Sequence, residues 1–211
     1  MNGVDLSHWN GDVNFFLLRH QNNMEFVIIK AGGSENGKYY KDPKFDDYYR
    51  MAKANGLKIG AYFFVGKGFT TKTEGKKQAE YFLSLVAGKE INFGMWLDVE
   101  APHCSPDLKT KQTTAAKEFM TIVESHHYFT GIYGSDISTF KDGLVDMEKL
   151  SHFAKWVARY GVNNGTVSKT PEYAKPYEIF QYSSHGRLSA NPYHDFDMDY
   201  AFHDISQFKI P

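Results

Sequence analysis

Short apolar runs with hydrophobic residues at both odd and even positions recur along this chain and alternate with amphipathic stretches. Such runs predict strands covered on both faces, the habit of parallel sheets. Gly3-Val4-Asp5-Leu6-Ser7-His8-Trp9 reads as a first strand, stopped by the turn signal Asn10-Gly11. A short helix over 13–21 leads to a second strand, Phe26-Val27-Ile28-Ile29-Lys30-Ala31, followed by a glycine-rich loop at Gly32-Gly33. Asp42-Pro43 opens a helix that Asn55-Gly56 closes. A third strand over 58–65 and a helix over 73–86, ended by Gly88, come next. Phe93-Gly94-Met95-Trp96-Leu97-Asp98-Val99-Glu100 is the fourth strand. After the loop 101–106 the pattern predicts a helix over 113–127, a fifth strand over 131–134 and a short helix over 146–153. Strands over 155–160, 177–183 and 196–202 complete the chain, with no helical pattern between the last ones. Eight strands, the first alternating with helices, predict an α/β fold: a TIM-like (β/α) barrel, irregular in its C-terminal third. The alternative is an open doubly wound sheet. No repeat or linker composition divides the chain, so a single domain over 1–211 is expected.

The fourth strand carries the sharpest chemical signal. Side chains alternate along a strand, so Asp98 and Glu100 share a face, with α-carbons about 6.6 Å apart. Two carboxylates at the end of an apolar strand are costly, because burial and mutual repulsion both oppose ionising the pair. The plain alternative, an acid that caps a helix or pairs with a lysine, accounts for either residue alone and less well for both. In barrels of this class the working residues sit at the C-terminal strand ends. The polar residues expected there are Asp5, Lys30, Tyr62, Asp98, Glu100, Tyr133, Gln181 and Asp197. Asp197 and Asp199 share one face of the last strand, and their spacing does not choose between them; Asp195 reads as a loop acid.

Composition narrows the classes. The 211 residues are 42% hydrophobic and 16% aromatic, enough for a full core. Lys+Arg of 24 against Asp+Glu of 25, with no basic run, gives no sign of nucleic-acid binding. No apolar run is long enough to insert in a bilayer, and residues 1–9 already read as a strand, not a signal peptide. A cytosolic protein released at lysis is therefore expected, or one exported by a route this sequence does not encode. The single cysteine, Cys104, excludes an internal disulfide and any multi-cysteine zinc site.

Four acids at three strand ends are what hydrolysis of a sugar–sugar bond needs: one protonates the leaving oxygen, and others stabilise the anomeric carbon or activate water. Glu100 is the candidate acid and Asp98 the charged stabiliser. Asp5 and Asp197 would shape the field or hold water, and Tyr62, Tyr133 and Trp156 would stack on sugar rings.

The first two strand motifs quoted above resemble glycoside hydrolase family 25, the Chalaropsis-type lysozymes. So do Lys58-Ile59-Gly60-Ala61-Tyr62, Trp96-Leu97-Asp98-Val99-Glu100, Trp156-Val157-Ala158-Arg159-Tyr160, Phe180-Gln181-Tyr182 and Asp197-Met198-Asp199. The matches keep the family's order over essentially the whole chain. The resemblance implies an N-acetylmuramidase that cleaves the β-1,4 bond from N-acetylmuramic acid to N-acetylglucosamine in peptidoglycan. It places the catalytic acids on Asp5, Asp98, Glu100 and Asp197, with Glu100 as general acid and Asp98 serving the acetamido group or the charged intermediate. Substrate contacts would come from Tyr62, Tyr133, Trp156, Gln181, Lys30 and Asp199, with no metal or cofactor, in a monomer acting on glycan strands. Two departures bear on substrate contacts. Phe63 stands where the family commonly has histidine, and Gly32-Gly33-Ser34 replaces a Thr-Glu-Gly type loop. Many relatives add a wall-binding module, and none is expected here.

Competing chemistries have less support. A metal-dependent deacetylase would draw on Asp5, His8 and His194, yet Asp5 and His8 have opposite strand parity. A non-catalytic sugar-binding module is the other rival. Cys104 beside His103 reads as an ordinary cysteine rather than a nucleophile. Gly32-Gly33 lacks the continuation of a phosphate loop, and Arg159 reads as a rim ion-pair partner.

Overall fold

The computed structural model describes residues 1–208, so the last three residues of the expected domain lie outside the description. The elements in chain order are β1 (Asn2–Leu6), α1 (Phe15–His20), β2 (Phe26–Glu35), β3 (Lys38–Lys41), α2 (Phe45–Ala54), β4 (Lys58–Val65) and α3 (Lys72–Val86). They continue with β5 (Met95–Val99), α4 (Lys109–Ser125), β6 (Thr130–Ser135), β7 (Ala154–Ala158), β8 (Ile179–Gly186) and β9 (Phe196–Ala201). Strands β1, β2, β4, β5, β6, β7, β8 and β9 pair in that order, and β9 returns to β1, closing an eight-stranded barrel. Closure leaves no free sheet edge within the ring. The extra strand, β3, pairs antiparallel with the outer half of β2.

All ring pairings from β1 to β8 are parallel, but β9 runs antiparallel to both β8 and β1. This corrects the all-parallel expectation: only a short connection, residues 187–195, joins β8 to β9, and no crossover helix occurs there.

Other boundaries move for local reasons. The first strand ends at Leu6 because Ser7 caps a 3-10 turn, accepting from Trp9 N while the Asn10 side chain accepts from Ser7 N. Gly32 and Gly33 lie within β2, not in a loop, where the hairpin crosses closely. A Cβ on Gly33 would sit 2.6 Å from the Tyr40 hydroxyl and 2.8 Å from the Phe64 carbonyl oxygen. The helix expected over 146–153 is a run of turns, with Ser151 N bonding Glu148 O and Phe153 N bonding Leu150 O.

Strand parity sorts the core into two layers. One set of side chains, including Val27, Ile29, Phe63, Leu97 and Ile132, packs outward against the helices. The alternate set, including Phe26, Ile28, Trp96, Tyr133, Trp156 and Ile179, fills the barrel. Space for the two indoles comes from small residues opposite: a Cβ on Gly131 would lie 2.7 Å from both the Trp96 ring and the Ala154 carbonyl carbon. The lower barrel is thus a packed aromatic plug, and only its upper end is free to hold polar groups. Among the described residues, no helix is long and apolar enough to cross a membrane.

Candidate active site

Above the plug, the inward-facing residues of the strands change from apolar to acidic. On β5 the step from Trp96 to Asp98 is one period of two, and Glu100 follows just past the strand end. Across the ring, Asp5 of β1 lies directly opposite Asp197 of β9. Because β9 is reversed, Asp197 stands near its N-terminal end yet at the rim formed by the C-terminal ends of the parallel strands. The expected convergence therefore holds, although its geometry at this strand is the opposite of the one anticipated.

The acids border a cleft of about 470 Å³ together with Lys30, Tyr62, Tyr133, Trp156 and Gln181. Nine of the ten residues singled out from the sequence thus meet here. Asp199 does not. It lies two residues further along the reversed strand, hence deeper, opposite Gly3 and Gln181, and it is fully buried. Its expected contact with substrate gives way to a place beneath the cleft floor. Trp156 is also corrected in part: at 1% exposed it forms floor and offers no open ring face for stacking. The exposed ring at the rim is Trp9, at 75%. Sequence reading overlooked this role for Trp9, and also Tyr160, which shares the parity of Trp156 and was within reach of the same argument. Phe64, also on the cleft wall, carries no comparable signal, and His194, weighed above only as a metal ligand, joins it there.

A hydrogen-bond chain fixes the floor. The Gln181 amide donates from Nε2 to Asp5 Oδ2 at 2.6 Å, and its Oε1 accepts from the Tyr133 hydroxyl at 2.8 Å and from Tyr160. Trp156 Nε1 donates to Asp199 Oδ1 at 2.8 Å. Asp98 is buried, and its Oδ1 has no hydrogen-bond partner among the described residues.

The electrostatics follow from crowding acids in a dry place. Burial, the largest cause throughout, holds Asp98 well above the ordinary carboxylate range, and Glu100 alongside pushes it the same way. Glu100 is raised by burial, while Lys30 and His103 pull it back. Asp197 is pushed up to about 7 by burial, then by Glu100 and Asp195. Asp5 is raised well above its usual range by burial, then by Asp197 and Asp199. Every shift thus favours the protonated form relative to a free carboxyl, the direction that lets a carboxylic acid act as a donor.

Lys30 is the cation among these acids. Its ammonium lies 4.8 Å from the Phe64 ring centroid and 5.7 Å from those of Tyr40 and Tyr62. Lys30→Met is expected to raise the proton affinity of both Asp98 and Glu100, moving both limbs of the pH–activity profile upward by on the order of one unit. An unmoved profile, or one displaced to lower pH, would refute that role.

Residues nominated for other chemistries have ordinary partners. His8 Nδ1 pairs with Asp42 at 2.7 Å. Arg159 lies 3.7 Å from both Asp136 and Glu172, the rim ion pair anticipated for it. The buried Cys104 thiol is pushed up to about 12 by its burial and by Asp98, so it is not an available thiolate. Its backbone N–H donates to Glu100 O at 2.9 Å, tying the loop after β5 to the acid it follows.

Comparison with known proteins agrees with the fold and with the resemblance. The sequence model described as Glycosyl hydrolases family 25 matches residues 4–190. The chain is 27% identical over 194 residues to an autolytic lysozyme of Clostridium acetobutylicum, an alignment spanning 90% of this chain and 52% of that protein. It is 28% identical over 206 residues to lysozyme M1 of Streptomyces globisporus, spanning 88% and 63%. The chain thus spans between about half and two thirds of these relatives' length. Among solved structures, the catalytic domain of endolysin ply40, from bacteriophage P40 of Listeria monocytogenes, superposes with a TM-score of 0.77. It is 25% identical, with 98% of this chain and 95% of that one covered.

Proposed function

The chain belongs to the glycosyl hydrolases of family 25, and from that membership we propose that its cleft hydrolyses the β-1,4 bond between N-acetylmuramic acid and N-acetylglucosamine in peptidoglycan. Glu100 acts as general acid and Asp98 stabilises the acetamido group or the positive charge that develops at the anomeric carbon. The observation that carries this reading is the meeting of Asp5, Asp98, Glu100 and Asp197 at one rim of the barrel, all held toward their protonated forms. Bond cleavage needs a proton for the leaving oxygen and negative charge near the sugar ring, and such a cluster supplies both. Asp5 and Asp197 hold water or shape the field, and Tyr62 and the open Trp9 ring give apolar faces for the sugars. The reading takes residues 1–211 as one catalytic unit, working as a monomer without a cofactor. Its target is the bacterial wall, reached on lysis or by export.

The test is reducing-end release from purified peptidoglycan, with borohydride reduction to identify the new terminal sugar. Muramitol is the expected product. Reduced glucosamine would name a different bond. Binding without release would replace the enzyme by a sugar-binding module, and chelator-sensitive acetate release would replace it by a deacetylase.

A further inference from the structure

The floor of the cleft contains an acid that the proposed chemistry leaves unused. Asp199 is fully buried on β9, one pleat below Asp197 and opposite Gly3, which makes it the diagonal cross-strand neighbour of Asp5 on the same face of the β1–β9 pair. Asp199 Oδ1 is satisfied by the Trp156 indole N–H at 2.8 Å, but Oδ2 has no donor among the described residues. Its diagonal neighbour across the strand pair is another carboxyl, Asp5, whose Oδ2 accepts from the Gln181 amide N–H at 2.6 Å. Two ionised carboxylates cannot bond to each other, and an orphaned anionic oxygen in a dry floor is strongly disfavoured. One proton between the two satisfies both.

We propose that Asp199 is a positioning residue that shares a single proton with Asp5, so that the pair carries one charge and the Asp5 carboxyl is fixed facing the cleft. The surroundings favour it. Asp197 from the same strand and Asp98 from β5 add negative charge, and Glu100, just past the end of β5, lines the same cleft. Lys30 of β2 is the nearby cation, and Tyr62, Tyr133 and Tyr160 face the pair from β4, β6 and the end of β7. A second full charge here would be opposed from nearly every side, and burial holds both carboxyls well above their ordinary range.

Asparagine at this position separates geometry from acidity, because its amide still accepts from Trp156 and offers a permanent N–H to Asp5. Difference infrared spectra of wild type and Asp199→Asn at neutral pH are expected to show the loss of one protonated-carboxyl band that shifts in D2O. Loss of a carboxylate band instead would overturn the shared proton. This measurement needs no substrate, so it stands apart from the muramidase reading on which the kinetic arm rests. In that arm, Asp199→Asn keeps kcat within about threefold, whereas Asp199→Leu lowers it about tenfold or more with KM within about twofold. Equal losses in both variants, with both folded by circular dichroism, would overturn the positioning role.

Discussion

Glu100→Gln is expected to lower kcat on peptidoglycan by about 10²- to 10⁴-fold, the usual worth of a general acid, with KM nearly unchanged and the fold intact. The substitution removes a proton donor and little else. Glutamine is isosteric, and it relieves the repulsion that raises Asp98. Only protonation of the leaving oxygen is lost, so the defect belongs to kcat. An aryl glycoside with an acidic phenol needs no such proton, and on it the variant should recover most of the wild-type rate of bond cleavage. Uniform loss on both substrates would mean that Glu100 serves binding or the nucleophilic side. Full activity on peptidoglycan would move the acid elsewhere in the cluster, with Asp197 next to be tested.

The features that the sequence disclosed best are those that depend on strand parity alone. Asp98 and Glu100 were legible as a pair because one strand, apolar on both faces, turns acidic at its end, and β5 is buried throughout. Lys30, Tyr62 and Tyr133 follow from the same rule on neighbouring strands. What parity cannot encode is strand direction. Asp197 reaches the rim from the start of β9, and nothing in Phe196-Asp197-Met198-Asp199 distinguishes an antiparallel return from another parallel strand. Reversal also decides between the two acids, since it lifts Asp197 to the cleft and sends Asp199 into the floor. Depth is likewise invisible locally. Trp156 and Trp9 are both aromatic residues near strand ends, yet one is sealed among Tyr62, Tyr133 and Trp96 while the other stands in solvent. The glycines at 32 and 33 looked like a loop because the hairpin partner that needs them small, Tyr40, is a tertiary neighbour.

Asp197→Asn is expected to make the protein more stable above neutral pH while lowering its activity at least about tenfold. In the folded chain this carboxyl holds its proton up to about pH 7, chiefly because of burial and then because of Glu100 and Asp195. In the unfolded chain it ionises near the ordinary value of about 3.9. Between those limits the folded state binds a proton that the unfolded state has released, so rising pH favours unfolding. Below about pH 4 both states are protonated and the acid costs nothing; above about pH 7 the penalty is complete, on the order of 2–4 kcal/mol after allowing for the carboxyl's contact with the cleft. Asparagine carries no such penalty. For a chain of this size the variant should therefore melt several degrees higher at pH 8, at roughly 2–4 °C per kcal/mol, with the advantage shrinking to nothing by about pH 4. Thermal melts of both proteins across that range decide it. An advantage that persists at pH 4 would trace to packing rather than ionisation, and a variant less stable at pH 8 would mean that the charged carboxylate is held by favourable contacts and not opposed by its burial. The expected trade is physical in origin: the crowding that lets these acids keep protons for catalysis is the same crowding that strains the folded barrel as pH rises.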